Sequence, residues 1–346
     1  MPAKPQNRHS ERSEESLFAG SAVLDIRTAL KLGIAHLRAA NVPSDTLAAE
    51  LLLLHSTGRT RTSLYSHPEV PLTEAESQTY FRVLEQRAAG IPTQHLTGKQ
   101  EFWGLEFEVT PEVLIPRPET EHLIEVALDR LALRDLHTRF TQNMTGEGLR
   151  LADLGTGSGC IACALAKEFP AAEIYALDIS PAALAVAQRN ATRLGFSDRI
   201  HFHESNIFSA LHESSVTSHK PPLFDLIASN PPYIGRREAV TLAREVRDHE
   251  PEVALYGGEE GYELYADLIT QSAAHLKPGG ILVVELGHDS LPAVQPLFDS
   301  PDWTNVGLTN DLAGIPRVLS SQLAERSSGK AKMMRDSESA AGGQPS

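Results

Sequence analysis

Between Leu149 and Gly287 short apolar runs alternate with longer helical ones, and this alternation restricts the fold more than any other feature of the chain. The runs LRLADLG, AEIYALDIS, RIHFHESN, FDLIASN and ILVVELG have the composition or alternation of strands. GCIACALAKEF, PAALAVAQRNATRLGF and GYELYADLITQSAAHL lie among them and carry apolar residues at helical spacing. KPGG, ahead of the last strand, reads as a turn. Strands that alternate with helices need crossover connections, so this part of the chain predicts a parallel, doubly wound sheet with helices on both faces. Ligands of such sheets bind in the crevice outside the carboxyl ends of the strands.

Three helices precede this region. LDIRTALKLGIAHLRAANV stops near Asn41-Val42-Pro43. PSDTLAAELLLLHSTG has Ser44 or Asp45 as its N-cap and Gly58 past its end. LTEAESQTYFRVLEQRAAG opens on a Thr73-x-x-Glu76 capping box. FWGLEFEVT then alternates with period two and carries aromatics, which predicts a hairpin. RPETEHLIEVALDRLALRDL returns to helix, and HTRFTQNMTGEG and SSVTSHKPP are polar loops. Both ends are polar, without apolar periodicity, and read as disordered tails. The first of them has no apolar core of the kind a signal peptide carries. The expected organisation is a tail at 1–22, a helical bundle at 23–92, a hairpin connector at 93–115, an α/β domain at 116–325 and a tail at 326–346. No apolar run is long enough to cross a bilayer, so a cytoplasmic protein is expected.

Two short stretches carry the chemistry. In LADLGTGSGC, Gly155, Gly157 and Gly159 follow the first strand of the α/β region, where glycine lets the backbone turn tightly and a ligand approach closely. The next strand ends at Asp178, well placed to accept hydrogen bonds from a ribose. The spacing is G-x-G-x-G rather than the G-x-G-x-x-G of dinucleotide binders, and Asp153 stands two residues before the first glycine. An oxidoreductase using NAD therefore fits poorly.

In SNPPYIG, the fourth strand of this region stops at Asn230, Pro231, Pro232 and Tyr233. The prolines fix the backbone and end the ladder, leaving carbonyls free to accept. Asn230 is at a carboxyl end and so faces the same crevice as the glycine loop. A planar NH2 group fits this set: the Asn230 side-chain oxygen and the Pro231 carbonyl accept its two hydrogens, and Tyr233 stacks on its face. Such a nitrogen is a poor nucleophile because its lone pair is delocalised. Holding both hydrogens turns it towards sp3 and aims the lone pair at an electrophile.

Cys160 and Cys163 are the only cysteines, spaced C-x-x-C in an apolar helical run. Zinc would need further ligands, so core packing is the expectation and no metal site is assigned. With 31 basic and 45 acidic residues the net charge is −14, which disfavours a broad nucleic-acid footprint.

The glycine loop with its preceding acid resembles class I S-adenosylmethionine-dependent methyltransferases, and Asn-Pro-Pro-Tyr resembles the signature of amino-group methyltransferases acting on adenine, cytosine or glutamine. HLTGKQEFWG, VLIPRPETE, ADLGTGSGCIACALA, ALDISPAALAVAQRNA, SNPPYI, EVRDHEPEVALYGGEEGYELY and LKPGGILVVELG together resemble the HemK/PrmC family, from about Leu24 to about Leu323. These are protein-(glutamine-N5) methyltransferases of peptide chain release factors. The resemblance implies a class I, Rossmann-like α/β methyltransferase domain joined by a β-hairpin to an N-terminal helical bundle that recognises the substrate. It implies S-adenosylmethionine as methyl donor, with S-adenosylhomocysteine as product. It implies as substrate the glutamine of the Gly-Gly-Gln motif in class 1 release factors; charge and the lack of a spanning run argue against nucleic-acid and membrane partners, and a monomer is the expectation. Cofactor contacts are implied for Gly155, Thr156, Gly157, Ser158, Gly159, Asp178, Asn206, Ile207 and Asn230. Catalysis and the glutamine amide are implied for Asn230, Pro231, Pro232 and Tyr233. Phe102 and Trp103 either line the crevice or pack the hairpin, and Arg117 and Glu119 either cap or order the crevice or, the favoured reading, have a salt-bridged structural role. One departure is Asn206, which stands where the family often has an acid that would accept the adenine amino group; a neutral acceptor makes a weaker bond. The rival readings are a DNA or RNA amino-group methyltransferase and an inactive binding protein of the same fold. The tail sequence AGGQPS repeats the substrate motif at Gln344, and chance is the favoured reading of that match.

Overall fold

The computed structural model describes residues 24–138, 145–213 and 221–325. The expected tails, Gln344 and parts of the two polar loops lie outside the described residues. The chain divides into two compact units between Thr97 and Gly98. This division falls inside the stretch expected as a connector: a short helix before it belongs to the first unit and the hairpin after it to the second.

The first unit is helical, with α1 (Ile26–Ala39), α2 (Asp45–Thr57), α3 (Arg61–Ser66), α4 (Glu74–Ala88) and α5 (Thr93–Thr97). Its core is built on Leu37, Leu52, Leu53, Tyr80 and Leu84, all fully buried. The Thr73–Glu76 capping box is formed in both directions, at 3.2 Å and 2.7 Å. The cap of α2 differs from expectation. Ser44 occupies the N-cap position in the left-handed region, with φ 53°, and its side chain bonds no helix N–H. The Asp45 carboxylate is taken by Arg38 at 2.7 Å.

The second unit opens with the hairpin of β1 (Lys99–Phe102) and β2 (Leu105–Glu108), paired in register Lys99 to Glu108. A 3-10 turn at Pro118–Thr120 leads into α6 (Glu121–Thr138). Then follow β3 (Arg150–Leu154), α7 (Cys160–Glu168), β4 (Glu173–Asp178), α8 (Pro181–Leu194), β5 (Ile200–Glu204), the short α9 (Ser209–Glu213) and β6 (Phe224–Ser229). After β6 come β7 (Ile234–Gly235), the short α10 (Arg244–His249) and α11 (Glu252–Leu255), β8 (Tyr256–Gly258), α12 (Glu263–His275) and β9 (Leu276–Glu285). The unit closes with α13 (Leu291–Val294), β10 (Trp303–Asn310) and β11 (Pro316–Leu323).

Seven strands form one sheet in the order β10-β11-β9-β6-β3-β4-β5. β9, β6, β3, β4 and β5 are parallel, while at one edge β11 pairs antiparallel with β9 and β10 antiparallel with β11. Side chains alternate between the faces with period two. Along β3, Leu151 joins one apolar cluster and Ala152 and Leu154 join the other. The sheet is thus buried on both sides, as a doubly wound arrangement requires. From β3 the chain moves outward through β4 and β5, then returns to lay β6 on the other side of β3. That reversal is the switch point at which the fold leaves a crevice.

One expectation is corrected. The Lys277-Pro278-Gly279-Gly280 stretch is not a turn before the last parallel strand but part of β9, which already pairs with Phe224 at Leu276. A register shift between Phe224 and Leu226 absorbs the extra residues, and Gly279 takes φ 75°. A proline is tolerated where a bulge leaves its missing N–H unneeded. The antiparallel β10 and β11 were also not anticipated, because β10 is an edge strand with mostly exposed side chains and so lacks an apolar alternation.

Candidate functional site

The glycine loop leaves β3 with Gly155, Gly157 and Gly159 all at positive φ, 72°, 53° and 81°. A residue with a Cβ adopts this region at a cost, so the three glycines make the turn available. Gly155 and Thr156 donate their N–H groups to the Leu177 carbonyl at 2.8 Å and 3.0 Å, which ties the loop to the end of β4. Asp153, fully buried, accepts from the Thr156 hydroxyl at 2.6 Å and from the Ala162 N–H at 3.0 Å. Burial pushes its carboxyl up to about 7, against these two hydrogen bonds. Asp153 thus staples the loop to the first turn of α7. Asn190, on α8, secures the far side: its amide donates to Ser158 O at 3.0 Å and to Glu108 O at 2.9 Å.

Asp178 ends β4 beside this loop. One carboxylate oxygen accepts from Gly157 N–H at 2.8 Å and the other from Ser180 N–H at 2.9 Å. Burial raises its pKa, while the N–H donors of Ser180, Gly157 and Ile179 oppose the rise. Beyond β5, Asn206 is exposed and its neighbour Ile207 has φ 53°. A β-branched residue in that region is strained, and such strain collects where a backbone is held for a ligand.

Asn230 ends β6. Its amide nitrogen donates to Thr120 Oγ1 at 3.1 Å, and its Oδ1 has no partner among the described residues. No hydrogen bond among the described residues ends on the Pro231 carbonyl. The loop is held from behind. Gly257 of β8 approaches Pro232 so closely that no Cβ fits between them. A Cβ on Gly287 would stand 2.8 Å from the Tyr233 ring. The Tyr233 hydroxyl donates to Glu285 Oε1 at 3.3 Å, and burial raises its pKa.

These elements surround a cavity of about 550 Å3 walled by Gly155, Gly157, Asp178, Asn206, Ile207 and Asn230, together with Pro231 and Pro232. Thr156, Ser158, Gly159 and Tyr233 do not line it. The first two are buried and shape the loop, Gly159 packs on Ala187, and Tyr233 stands behind the prolines with its hydroxyl turned to Glu285. Another cavity, of about 580 Å3, lies beside Arg130, Asn305 and Gln322 and includes none of the expected site residues. Phe102 is buried in the core, and Trp103 is pinned by Glu121 and Glu168 at 2.7 Å and 2.8 Å, so both pack the hairpin. Arg117 pairs with the buried Glu250. Burial raises the Glu250 pKa, opposed by Arg117. Cys160 and Cys163 are free and buried in α7, and burial pushes the Cys160 thiol up to about 12.

Sequence reasoning did not single out Thr120, Asn190 or Glu285. Asn190 and Thr120 owe their roles to partners distant in the chain. Glu285 did leave a signal, an acid inside the apolar run ILVVELG, since a buried carboxyl calls for partners.

The cavity wall brings together the acid Asp178, the glycine loop and the neutral Asn206, with the unpaired Asn230 amide oxygen beside them. Residues 28–98 match the PrmC N-terminal domain, and residues 145–293 match a methyltransferase domain. The chain is 43% identical over 296 residues to the release factor glutamine methyltransferase of Koribacter versatilis, covering 86% of this chain and 98% of that protein. It is 39% identical over 297 residues to the protein of the same name from Moorella thermoacetica, covering 86% and 98%. Among solved structures, a methyltransferase from Pyrococcus furiosus is similar at a TM-score of 0.42 and 18% identity, over 72% of this chain and 99% of that one. The order of the motifs, their arrangement round one crevice and the full-length relatives agree: the chain belongs to the release factor glutamine methyltransferase family.

Proposed function

We propose that this protein methylates the side-chain amide nitrogen of the glutamine in the Gly-Gly-Gln motif of class 1 release factors, and so serves translation termination in the cytoplasm. The observation that carries the reading is the Asn230 amide, held through its nitrogen by Thr120 with its Oδ1 unpaired, at the wall of a cavity whose other side is Gly155, Gly157 and Asp178. S-adenosylmethionine, when bound, supplies an electrophilic methyl group on a sulfonium. Gly155 and Gly157 would let the backbone come close to it, Asp178 would accept from its ribose hydroxyls, and Asn206 and Ile207 would serve its adenine side. Asn230 Oδ1 and the Pro231 carbonyl accept the two hydrogens of the substrate amide. This costs the nitrogen part of its conjugation and aims its lone pair, while Pro231 and Pro232 keep the acceptors rigid. Tyr233 supports the prolines from behind, a different role from the stacking face expected of it. No strong base is needed before attack, because the nitrogen loses its proton readily once it carries positive charge. The helical unit contributes recognition of the protein substrate, supported by its match to the PrmC N-terminal domain. The net charge of −14 supports a protein substrate over DNA or RNA.

Labelled S-adenosylmethionine, offered with release factor, its Gln→Ala variant, DNA and RNA in parallel, tests the reading. Label on the release factor alone is expected. Label on either nucleic acid, or on the Gln→Ala variant, contradicts it.

A further inference from the structure

The two prolines stiffen residues 230–233 from within, but where the acceptors of that segment point depends on what the segment rests on. It rests on main chain. A Cβ on Gly257 would collide with the Pro232 carbonyl. A Cβ on Gly261 would collide with the Tyr233 carbonyl and stand 2.6 Å from the Gly235 nitrogen. A Cβ on Gly235 would in turn stand 2.8 Å from the Glu259 carbonyl oxygen. Alongside, β7 pairs parallel with β8, Ile234 to Tyr256 and Gly235 to Gly258. Backbone therefore lies directly on backbone from Pro232 to Gly235. No side chain stands between them that could change rotamer and let the segment shift.

The supporting loop, residues 257–261, needs a brace of its own. Gly258 and Gly261 take φ 136° and 95°, a region that residues with a Cβ adopt only at a cost, and glycine is also the residue with most freedom to lose. Glu263, the first residue of α12, supplies the brace. One of its carboxylate oxygens accepts from the Glu260 N–H at 2.9 Å and the other from the Gly261 N–H at 2.8 Å. Hydrogen bonds to an ionised acceptor are the stronger kind. The same carboxylate occupies the space that a Cβ on Gly258 would need. The Glu260 side chain is paired in turn with Arg237, two residues past Gly235. Glu263 is exposed and does not line the crevice.

We infer that Glu263 and Gly261 are positioning residues for methyl transfer: Glu263 sets the shape of 257–261, that loop sets the backbone of 232–235, and the Asn230 amide and Pro231 carbonyl are thereby held where the substrate amide needs them. This rests on the methylation proposed above. Neither residue is given a contact with substrate or cofactor, so their loss costs rate and spares binding. A displacement of about 1 Å at the acceptors suffices to cost about 100-fold.

The full-length chain carries the test, in Gly261→Ala, Glu263→Ala and Glu263→Gln forms, with release factor and S-adenosylmethionine as substrates. Rates are expressed per S-adenosylhomocysteine site counted by calorimetry, so that loss of folded protein does not register as loss of kcat. Gly261→Ala and Glu263→Ala are each expected to lower kcat about 10- to 100-fold. KM for the release factor and affinity for S-adenosylhomocysteine should stay within about threefold of wild type, less than one lost hydrogen bond would cost. Glu263→Gln keeps the side-chain length and one of the two acceptors, and should regain at least about threefold of the kcat lost in Glu263→Ala. Should Gly261→Ala fail to fold, the two Glu263 variants decide. A wild-type kcat in Glu263→Ala, a fall in cofactor affinity that matches the fall in kcat, or a Glu263→Gln no faster than Glu263→Ala would each overturn the inference. No methylation of the glutamine by wild type would instead refute the proposed function.

Discussion

At the scale of single residues, Asp178 and Asn206 make opposite predictions. The Asp178 carboxylate already accepts two backbone N–H bonds and keeps further lone pairs, which the proposed reading gives to a ribose. Asp178→Asn removes the charge that strengthens those bonds and puts donors where acceptors are needed. Cofactor affinity should fall about 10- to 100-fold in a calorimetric titration, as for loss of a charge-assisted hydrogen bond. Asn206 is an exposed wall residue, so a charge there is not costly. Asn206→Asp should keep or tighten cofactor affinity in the same titration; a large loss would contradict its assignment to the adenine side.

Glu285 also predicts a pH effect on stability. Its folded pKa, about 7, lies above its ordinary value of 4.5, so the folded chain binds the proton more tightly than the unfolded one. Stability from this group is full below about 4.5 and is lost as pH rises to about 7. Glu285→Gln has no such slope. In urea titrations its stability relative to wild type should increase between about pH 4 and about pH 8, an interval that brackets the shift from 4.5 to about 7; a constant difference would contradict the burial argument.

The contrast in legibility follows from chain distance. Gly155, Asp178 and Asn230 could be read because each closes a recognisable strand, and strand ends share one crevice. Thr120 could not, since its partner Asn230 is 110 positions away. Tyr233 was expected to offer a stacking face; its hydroxyl bond to Glu285 could not be read, because nothing in SNPPYIG points to an acid 52 positions away.

At the scale of elements, local signals were followed closely where they were mutually consistent. The Thr73–Glu76 box is one such case, and Thr73→Ala should cost about 1 kcal/mol in urea or thermal unfolding, the usual value of a lost cap. Ser44 shows the limit: the residue type was right for a cap, but a left-handed backbone turns its side chain from the helix N–H groups. The Pro278-Gly279-Gly280 stretch carries a turn composition and still lies in a strand, because pairing with β6 at Leu276 overrides local preference. The β10 and β11 hairpin had no clear signal, since an edge strand exposed on most positions has no apolar period to display.

At the scale of the whole molecule, composition, topology and relatives constrain different things. The charge of −14 bears on partners, the strand order on where a ligand binds, and the family on the reaction. Among the described residues no helix is long and apolar enough to cross a membrane. The cysteines, free and buried in the core, are predicted to be dispensable for chemistry: Cys163→Ala should keep methyl transfer within about twofold while lowering stability modestly, since only a small buried group is lost. The central claim is that the crevice delivers a methyl group to one glutamine amide of a release factor. Tandem mass spectrometry of the release factor after incubation with this protein and S-adenosylmethionine tests it most directly. A single added methyl is expected on the side chain of the Gly-Gly-Gln glutamine, absent when Asn230→Ala replaces wild type; an unmodified glutamine, or a methyl on any other residue, overturns the assignment.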